Sequence, residues 1–232
     1  MVGKIFNRVT GLKSLLLLIL VSTTASRCGD EDPEYVLLTF VLPFSVTPVD
    51  PEINLGDTLW AEASFSENLE EYNSKEIIAV KNLDFQSKIG LFELVSNSFD
   101  ISDQPSAVDF FDFVPKAGTI PFVGATFSPF TMQYQDNAYT FRVGLVPKKT
   151  GVFSVNFLPP RDLDLRQAVD LRVNSAGQKK LPTFEFLLFD INNGNTNFDL
   201  FKQHCKAISL ENDVFINVYY EQKGTFTFRV IE

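Results

Sequence analysis

The feature that most constrains the fold of this chain is a succession of short segments in which apolar and polar side chains alternate. In Thr58–Phe65, the side chains of Leu59, Ala61, Ala63 and Phe65 share one face, and polar residues and a tryptophan occupy the other. A period of two is typical of a β-strand with one buried face. Because such a strand cannot bury its apolar face alone, the pattern predicts an all-β protein.

Similar segments recur along the chain, separated by Pro, Gly, Asn and Asp about every 8 to 15 residues. The further strand candidates are Val36–Val41, Phe44–Thr47, Ile77–Phe85, Ile89–Val95, Tyr139–Val146, Val152–Phe157, Thr183–Ile191, Val214–Tyr220 and Thr225–Ile231. Thr183–Ile191 is mostly apolar and is predicted to be a central strand, and the last two segments are predicted to form a closing hairpin around Glu221–Gly224. The pattern predicts an antiparallel β-sandwich, immunoglobulin-like or jelly-roll-like, of about ten to twelve strands.

Helical signals are few. The best is Asn197–Lys206, where the first residue can act as an N-cap and Phe198, Phe201 and Cys205 fall on one face. Arg161–Val173 is a second, shorter candidate. The fold is therefore expected to carry one or two short helices beside its sheets.

The first 27 residues have the three-part pattern of a secretory signal. A positive opening without acids precedes the unbroken apolar run Leu15–Val21, and the small, polar residues Ser22–Ser26 follow it. Seven apolar residues are too few to cross a bilayer, which needs roughly 20. We therefore expect residues 1–27 to be a signal peptide and the protein to be exported.

The remainder divides into an acidic tether, residues 28–34, and a single β-sandwich domain, residues 35–232. The alternative is two sandwiches of roughly 100 residues that meet near Pro115–Pro121. Without residues 1–27 the chain keeps 16 basic and 29 acidic residues, a net charge of −13. Such a charge favours solubility and disfavours nucleic acids, which are therefore not expected as partners. The chain also lacks an Asn-x-Ser/Thr sequon, which favours a bacterial secretory route.

Few residues are candidates for chemistry or ligand binding. The one histidine, His204, adjoins Cys205, and neighbours on a helix point about 100° apart, so the two cannot form a catalytic pair with each other. Asp190–Asp199 resembles a calcium loop, but its glycine is fifth rather than sixth and its twelfth position is Phe201. We therefore expect an Asn-rich turn there, and neither a metal, a cofactor nor a catalytic residue is predicted.

Two aromatic features of the chain bear on its core and on ligand binding. The chain has 24 phenylalanines against six tyrosines and one tryptophan. Because a phenyl ring has no polar group, most of these side chains are expected in the core. Trp60 lies on the polar side of its strand and is either covered by neighbouring residues or exposed as a stacking platform for a sugar ligand.

Two stretches resemble a known type of domain. Pro48–Trp60 resembles the opening of bacterial immunoglobulin-like domains, and Gly224–Val230 resembles their last strand. The layout of signal, cysteine, acidic tether and Phe-rich sandwich is similar to that of exported lipoproteins of Bacteroidota with no assigned activity. That resemblance implies a cell-envelope location, at the outer membrane or cell surface, and implies no active site.

Cys28 is predicted to carry the lipid, because lipoprotein processing leaves a cysteine first, followed by a flexible tether. Lipoprotein signals resemble Leu-small-small-Cys, whereas Ala25-Ser26-Arg27 precedes Cys28. A second interpretation therefore stays open, with cleavage after Ala25 or Ser26, a periplasmic or secreted product, and a Cys28–Cys205 disulfide.

The function predicted from the sequence is a non-enzymatic binding or structural role at the cell envelope. The membrane is contacted through the lipid at Cys28, and the ligand is a glycan or a protein. One rival is a glycan-binding accessory module of polysaccharide capture, which predicts exposed aromatic side chains near Trp60. The other is a hydrolase, which predicts a concave acidic site.

Overall fold

The computed structural model describes residues 33–95, 104–158, 165–171, 180–206 and 218–232. The described residues between positions 36 and 170 and between 182 and 232 belong to one compact unit, and those at 33–35, 171 and 180–181 belong to a second. In the described residues the strands are β1 (Glu34–Thr47), β2 (Glu52–Asn54), β3 (Leu59–Ser66), β4 (Asn68–Glu70), β5 (Ile77–Ala79), β6 (Gln86–Glu93), β7 (Phe111–Ala117), β8 (Phe127–Thr131), β9 (Gln133–Gln135), β10 (Ala138–Pro147), β11 (Gly151–Leu158), β12 (Lys180–Ile191) and β13 (Thr225–Ile231). Among the same residues there is one α-helix, α1 (Phe198–His204), together with short 3-10 turns at Val108–Phe110 and Asn192–Gly194 and a π-helical turn at Val218–Lys223.

The strands form two main sheets that pack together, which confirms the predicted all-β sandwich. The first sheet has the order β12-β1-β3-β10-β7, with β9 also paired to β10, and the second has the order β2-β13-β11-β6-β8. A small third sheet joins β4 to β5. One long ladder is antiparallel and pairs β3 with β10 from Ser66 and Ala138 to Leu59 and Leu145. The short β2 departs from the antiparallel pattern, because it runs parallel to β13.

Phenylalanine rings fill the space between the two sheets. Phe44 of β1 lies 4.2 Å, ring centre to ring centre, from Phe157 of β11. Phe130 of β8 stacks on Phe141 of β10 at 4.2 Å. All four rings are almost fully buried, and each contributes roughly 2 to 3 kcal/mol through the area it removes from water. The phenylalanine excess is therefore used for packing, as the sequence predicts.

A smaller cluster lies where α1 packs on the second sheet. Phe201 and Cys205 from the helix contact Phe92 and Leu94 near the end of β6, and Phe198 borders the group. The helix predicted over Asn197–Lys206 is thus confirmed, with its apolar face directed at the sheet. Of the second candidate, Arg161–Val173, the described part forms a turn at 165–168.

Some element boundaries predicted from the sequence differ from those of the structure in the first part of the chain. Val36–Val41 and Phe44–Thr47 are one continuous strand, β1, which passes through Pro43. Pro43 precedes the ladder between β1 and β3, which begins at Ser45, so its missing N–H removes no hydrogen bond from that ladder. The predicted strand Ile77–Phe85 is shorter, since only Ile77–Ala79 is a strand. The remaining apolar residues of the predicted strand are buried, but they belong to an irregular segment. Sequence periodicity alone cannot distinguish such a segment from a strand.

Two predictions near the end of the chain differ from the structure. The segment containing Thr183–Ile191 is β12, which lies at the end of the described strand order rather than at its centre, although Leu187–Phe189 are all buried. Of the predicted closing hairpin, Thr225–Ile231 is the strand β13, and residues 214–217 lie outside the described residues. The part between them, Val218–Lys223, is a π-helical turn in place of a strand. Gly224 donates its backbone N–H to the Tyr219 carbonyl within that turn, so β13 is entered from a helix.

Candidate functional site

The Asn-rich loop between β12 and α1 owes its composition to its backbone. Asn192, Asn193, Gly194 and Asn197 all have positive φ, between 51° and 83°. Asparagine and glycine adopt this left-handed region at lower cost than other residues. The Asn-rich turn predicted at Asp190–Asp199 therefore has a physical basis in the backbone conformation of these residues.

Side chains of this loop hydrogen-bond the backbone of both sheets. The Asn192 amide oxygen accepts the Val46 N–H at 3.0 Å, and the Asn192 amide nitrogen donates to the Val46 carbonyl at 3.0 Å. The Asn197 amide donates to the carbonyls of Val49 and Thr227, at 3.2 and 2.9 Å. The loop is thereby fixed to β1 and β13 at once.

Asn197 does not act as the N-cap that its position suggests. It stands at the cap position of α1, but its side chain makes no capping hydrogen bond and its φ is 57°. Its amide is instead used for the two carbonyls named above. Asn197 thus makes hydrogen bonds to distant parts of the chain in place of a local helix cap. These distant contacts could not be predicted from the sequence.

The loop borders an open cleft of about 580 Å³, a volume in the range of small-ligand sites. Its lining combines residues from β2, β13, the loop and α1, which are Pro51, Glu52, Gly194, Asn195, Thr196, Asn197, Phe198, Asp199, Leu200, Gln203 and Arg229. Sequence reasoning missed Glu52 and Arg229, because they join the loop only through the parallel pairing of β2 with β13. The Asn-rich run was the one signal that pointed to this place.

Charge in and beside the cleft is mixed. The Arg229 guanidinium contacts the Glu52 carboxylate at 3.0 Å, with both side chains about half exposed. His204, at the end of α1, has a lowered pKa because of partial burial and, second, the nearby positive charge of Arg229. His204 is thus favoured in its neutral form.

A second ion pair lies at the base of the loop. The Lys223 ammonium contacts the Asp190 carboxylate at 3.2 Å and also lies over the Tyr219 ring. Partial burial acts to lower the pKa of Lys223, but Asp190 and Tyr219 outweigh it and the pKa is raised. The other Asp190 carboxylate oxygen is buried without a hydrogen-bond partner among the described residues. Within those residues, no group of three or more His, Cys, Asp or Glu is arranged to hold a metal ion.

Trp60, the predicted stacking residue, is half-buried on the outer face of the first sheet. It is in register with Gly144 of β10, and a β-carbon placed on that glycine would lie 3.2 Å from the indole ring. The Arg142 guanidinium lies over the ring at 4.5 Å and contacts the Glu62 carboxylate at 3.0 Å. The indole therefore covers a glycine and is itself in contact with a cation. Its role in ligand stacking stays a prediction.

Cys28, the predicted lipidation site, lies outside the described residues, as do the signal peptide and most of the tether. Cys205 is buried at the end of α1. The choice between lipidation and a Cys28–Cys205 disulfide therefore stays open. In the ranges that the structure describes, no helix has the length and apolar character needed to span a membrane.

Comparison with known proteins adds little. No protein-family model matches the chain, and no curated protein matches it either. Among solved structures it is similar to the CupB6 tip adhesin of Pseudomonas aeruginosa, with 15% sequence identity and a TM-score of 0.17. The match covers 71% of this chain and 43% of the adhesin. A likeness this weak carries no argument about function.

Proposed function

We propose that this protein is a non-enzymatic binding protein of the cell envelope, held to the membrane by a lipid on Cys28. The observation that carries the binding role is the cleft beside the Asn-rich loop, which is open, polar and lined from four elements of the sandwich. Loops held by a rigid scaffold are the usual place for such sites.

The anchoring of the loop supports a preformed site. Because Asn192 and Asn197 hold it to backbone groups of β1 and β13, its conformation is set before any ligand arrives. Ordering a loop costs binding free energy, so a loop that is already ordered favours affinity.

The anchoring of the protein rests on the sequence. The chain after Cys28 is acidic as far as Glu34, where β1 begins. A short solvated segment of this kind suits a tether between a lipidated cysteine and a folded domain. The expected location is the outer membrane or the cell surface.

Detergent phase separation of the protein expressed with its signal peptide tests the anchor. The wild-type protein is expected in the detergent phase, and Cys28→Ser is expected in the aqueous phase. Intact mass measurement separates the two interpretations, since lipid adds mass whereas a Cys28–Cys205 disulfide removes two hydrogens. An aqueous, unlipidated wild-type chain contradicts the anchor.

The non-enzymatic part has its own test. The purified protein is incubated with panels of ester, peptide and glycoside substrates, and product formation is followed. We expect no turnover. Reproducible turnover that co-purifies with the protein would favour the hydrolase instead.

The alternative, a glycan-binding module centred on Trp60, is supported by the partial exposure of the indole. It requires a sugar to approach a ring already covered in part by Arg142. Binding lost in Trp60→Ala, with the fold intact, would support this alternative.

A further inference from the structure

We infer that the cleft beside the Asn-rich loop binds a neutral, polyhydroxylated ligand, such as the end or a branch of a glycan. This inference rests on the proposed binding function and specifies its site and ligand class. It places the ligand away from Trp60, which does not line the cleft.

The polar groups of the cleft suit hydroxyl recognition. Asn195 and Gln203 are exposed there, and each amide offers both a donor and an acceptor. The carboxylate of Asp199 adds acceptors, and the guanidinium of Arg229 adds donors. A sugar hydroxyl both donates and accepts, so it can be satisfied by such a mixed set.

The charges of the cleft disfavour an anionic ligand. Two carboxylates, Glu52 and Asp199, line it against one guanidinium, Arg229. Asp199 is paired with the Lys202 ammonium at 2.7 Å, and Arg229 already contacts Glu52 at 3.0 Å. A phosphate or carboxylate ligand would meet like charge and would have to displace that ion pair. The overall acidity of the chain acts in the same direction.

The apolar surface of the cleft is limited. It comes mainly from Pro51, Phe198 and Leu200. Phe198 is half-buried, with its ring stacked on Phe201 at 5.8 Å and the Lys202 ammonium 5.2 Å from its ring centre. Pro51, Leu200 and the edge of the Phe198 ring can contact the C–H groups of a sugar, whereas a lipid or an apolar peptide requires a mostly apolar lining.

Two double variants of the full mature chain test the assignment. Asn195→Ala with Gln203→Ala removes two exposed amides from the cleft. Asn68→Ala with Gln133→Ala removes two exposed amides from β4 and β9, neither of which lines it. Circular dichroism and thermal unfolding check that both variants fold. The probes are neutral cello-, xylo-, manno- and malto-oligosaccharides, with acidic polygalacturonate oligosaccharides as the charged comparison, measured by array and calorimetry.

We expect binding of at least one neutral oligosaccharide and little or none of the acidic set. The cleft variant should bind roughly tenfold or more weakly, as expected for the loss of hydrogen bonds, whereas the control should match wild type. Preference for the acidic set, or no binding of any neutral probe, overturns the ligand class. Unchanged affinity in the folded cleft variant, or loss only in Trp60→Ala, overturns the site while leaving a binding function in place. Turnover of a probe contradicts the non-enzymatic function itself.

Discussion

Asn192 pairs with Val46 through both atoms of its side-chain amide, so a loop residue imitates the hydrogen bonding of a neighbouring strand. The two bonds are each 3.0 Å long and join positions 146 residues apart. Asn192 also has a φ of 51°, which asparagine tolerates better than most residues. One side chain thus sets both the local turn and its attachment to β1.

We expect Asn192→Ala to lower the free energy of unfolding by about 2 to 3 kcal/mol, because it leaves two backbone groups without their partner and adds left-handed strain. The control is Asn193→Ala. Asn193 is exposed and has a φ of 54°, so it shares only the strain, and its cost should be about 1 kcal/mol. Urea denaturation measures both values. Equal losses would show that the Asn192 amide contributes nothing beyond its backbone conformation.

Tyr139→Phe tests a buried hydroxyl. The Tyr139 hydroxyl accepts the Leu83 N–H at 2.8 Å and donates to the Val80 carbonyl at 2.9 Å, in a fully buried position. Its removal leaves both groups unsatisfied, so we expect a loss of about 2 to 3 kcal/mol. Thermal and urea unfolding would detect it. A loss below about 0.5 kcal/mol, the lower end for one hydrogen bond, would contradict this account.

The pKa of Tyr139 predicts how the stability of the protein changes at alkaline pH. Burial raises the pKa of Tyr139 to about 12, despite the opposing Leu83 N–H. A raised pKa means that the folded state retains the proton while the unfolded state releases it above its ordinary value of 10.0. The contribution to stability is therefore complete below pH 10 and is lost as the pH rises towards 12. Ultraviolet titration of wild type against Tyr139→Phe should show this late-ionising tyrosine.

The hydrogen bonds to Glu71 predict that the stability of the protein depends on pH in the acidic range. Its buried carboxylate accepts backbone N–H bonds from Thr39, Asn73 and Ser74. Burial acts to raise the pKa of Glu71, but these hydrogen bonds outweigh it, and the pKa lies below its ordinary value of 4.5. The stability it contributes is thus present above pH 4.5 and is lost as the pH falls through the lower, folded-state pKa.

Glu71→Gln should lower stability at pH 7 by about 1 to 2 kcal/mol, since hydrogen bonds to a charged acceptor are stronger. It should also weaken the decline below pH 4.5. Glu70→Gln is the control, because Glu70 is exposed and its ion pair with Lys75 is exposed as well, so little change is expected. Identical acid profiles for wild type and Glu71→Gln would refute the role of this carboxylate.

The proximity of Trp60 to Gly144 predicts that substitutions at these two positions have coupled effects on stability. A β-carbon at Gly144 would lie 2.7 Å from a methyl of Thr58 and 3.2 Å from the indole. We expect Gly144→Ala to be destabilising in the wild-type background and less so beside Trp60→Ala, with a coupling energy of about 0.5 to 1 kcal/mol. A double-mutant cycle by urea denaturation measures it. Strict additivity would contradict the coupling and would show that the Thr58 methyl, rather than the indole, sets the cost of Gly144→Ala.

The sequence by itself determined the layers and the core. Alternation marks β3 and β10 because each buries one face more deeply than the other, a purely local pattern. In β11 the residue types also alternate, but the tertiary structure buries both faces, including Ser154 and Asn156. The phenylalanine excess indicated a packed interior, because a phenyl ring has no polar group that needs a hydrogen-bond partner. The helix near Phe201 was also predictable from the spacing of its apolar residues.

Tertiary structure decided the edges and the cleft. The place of β12 in its sheet, the passage of β1 through Pro43 and the helical turn at Val218–Lys223 depend on which strands pair, and pairing is not encoded in one segment's pattern. The cleft arises in the same way, because Glu52 and Arg229 are 177 residues apart in the chain and meet only through the pairing of β2 with β13. Local residue order determines which faces are buried, whereas a site built from distant residues exists only once the strands that carry them have paired.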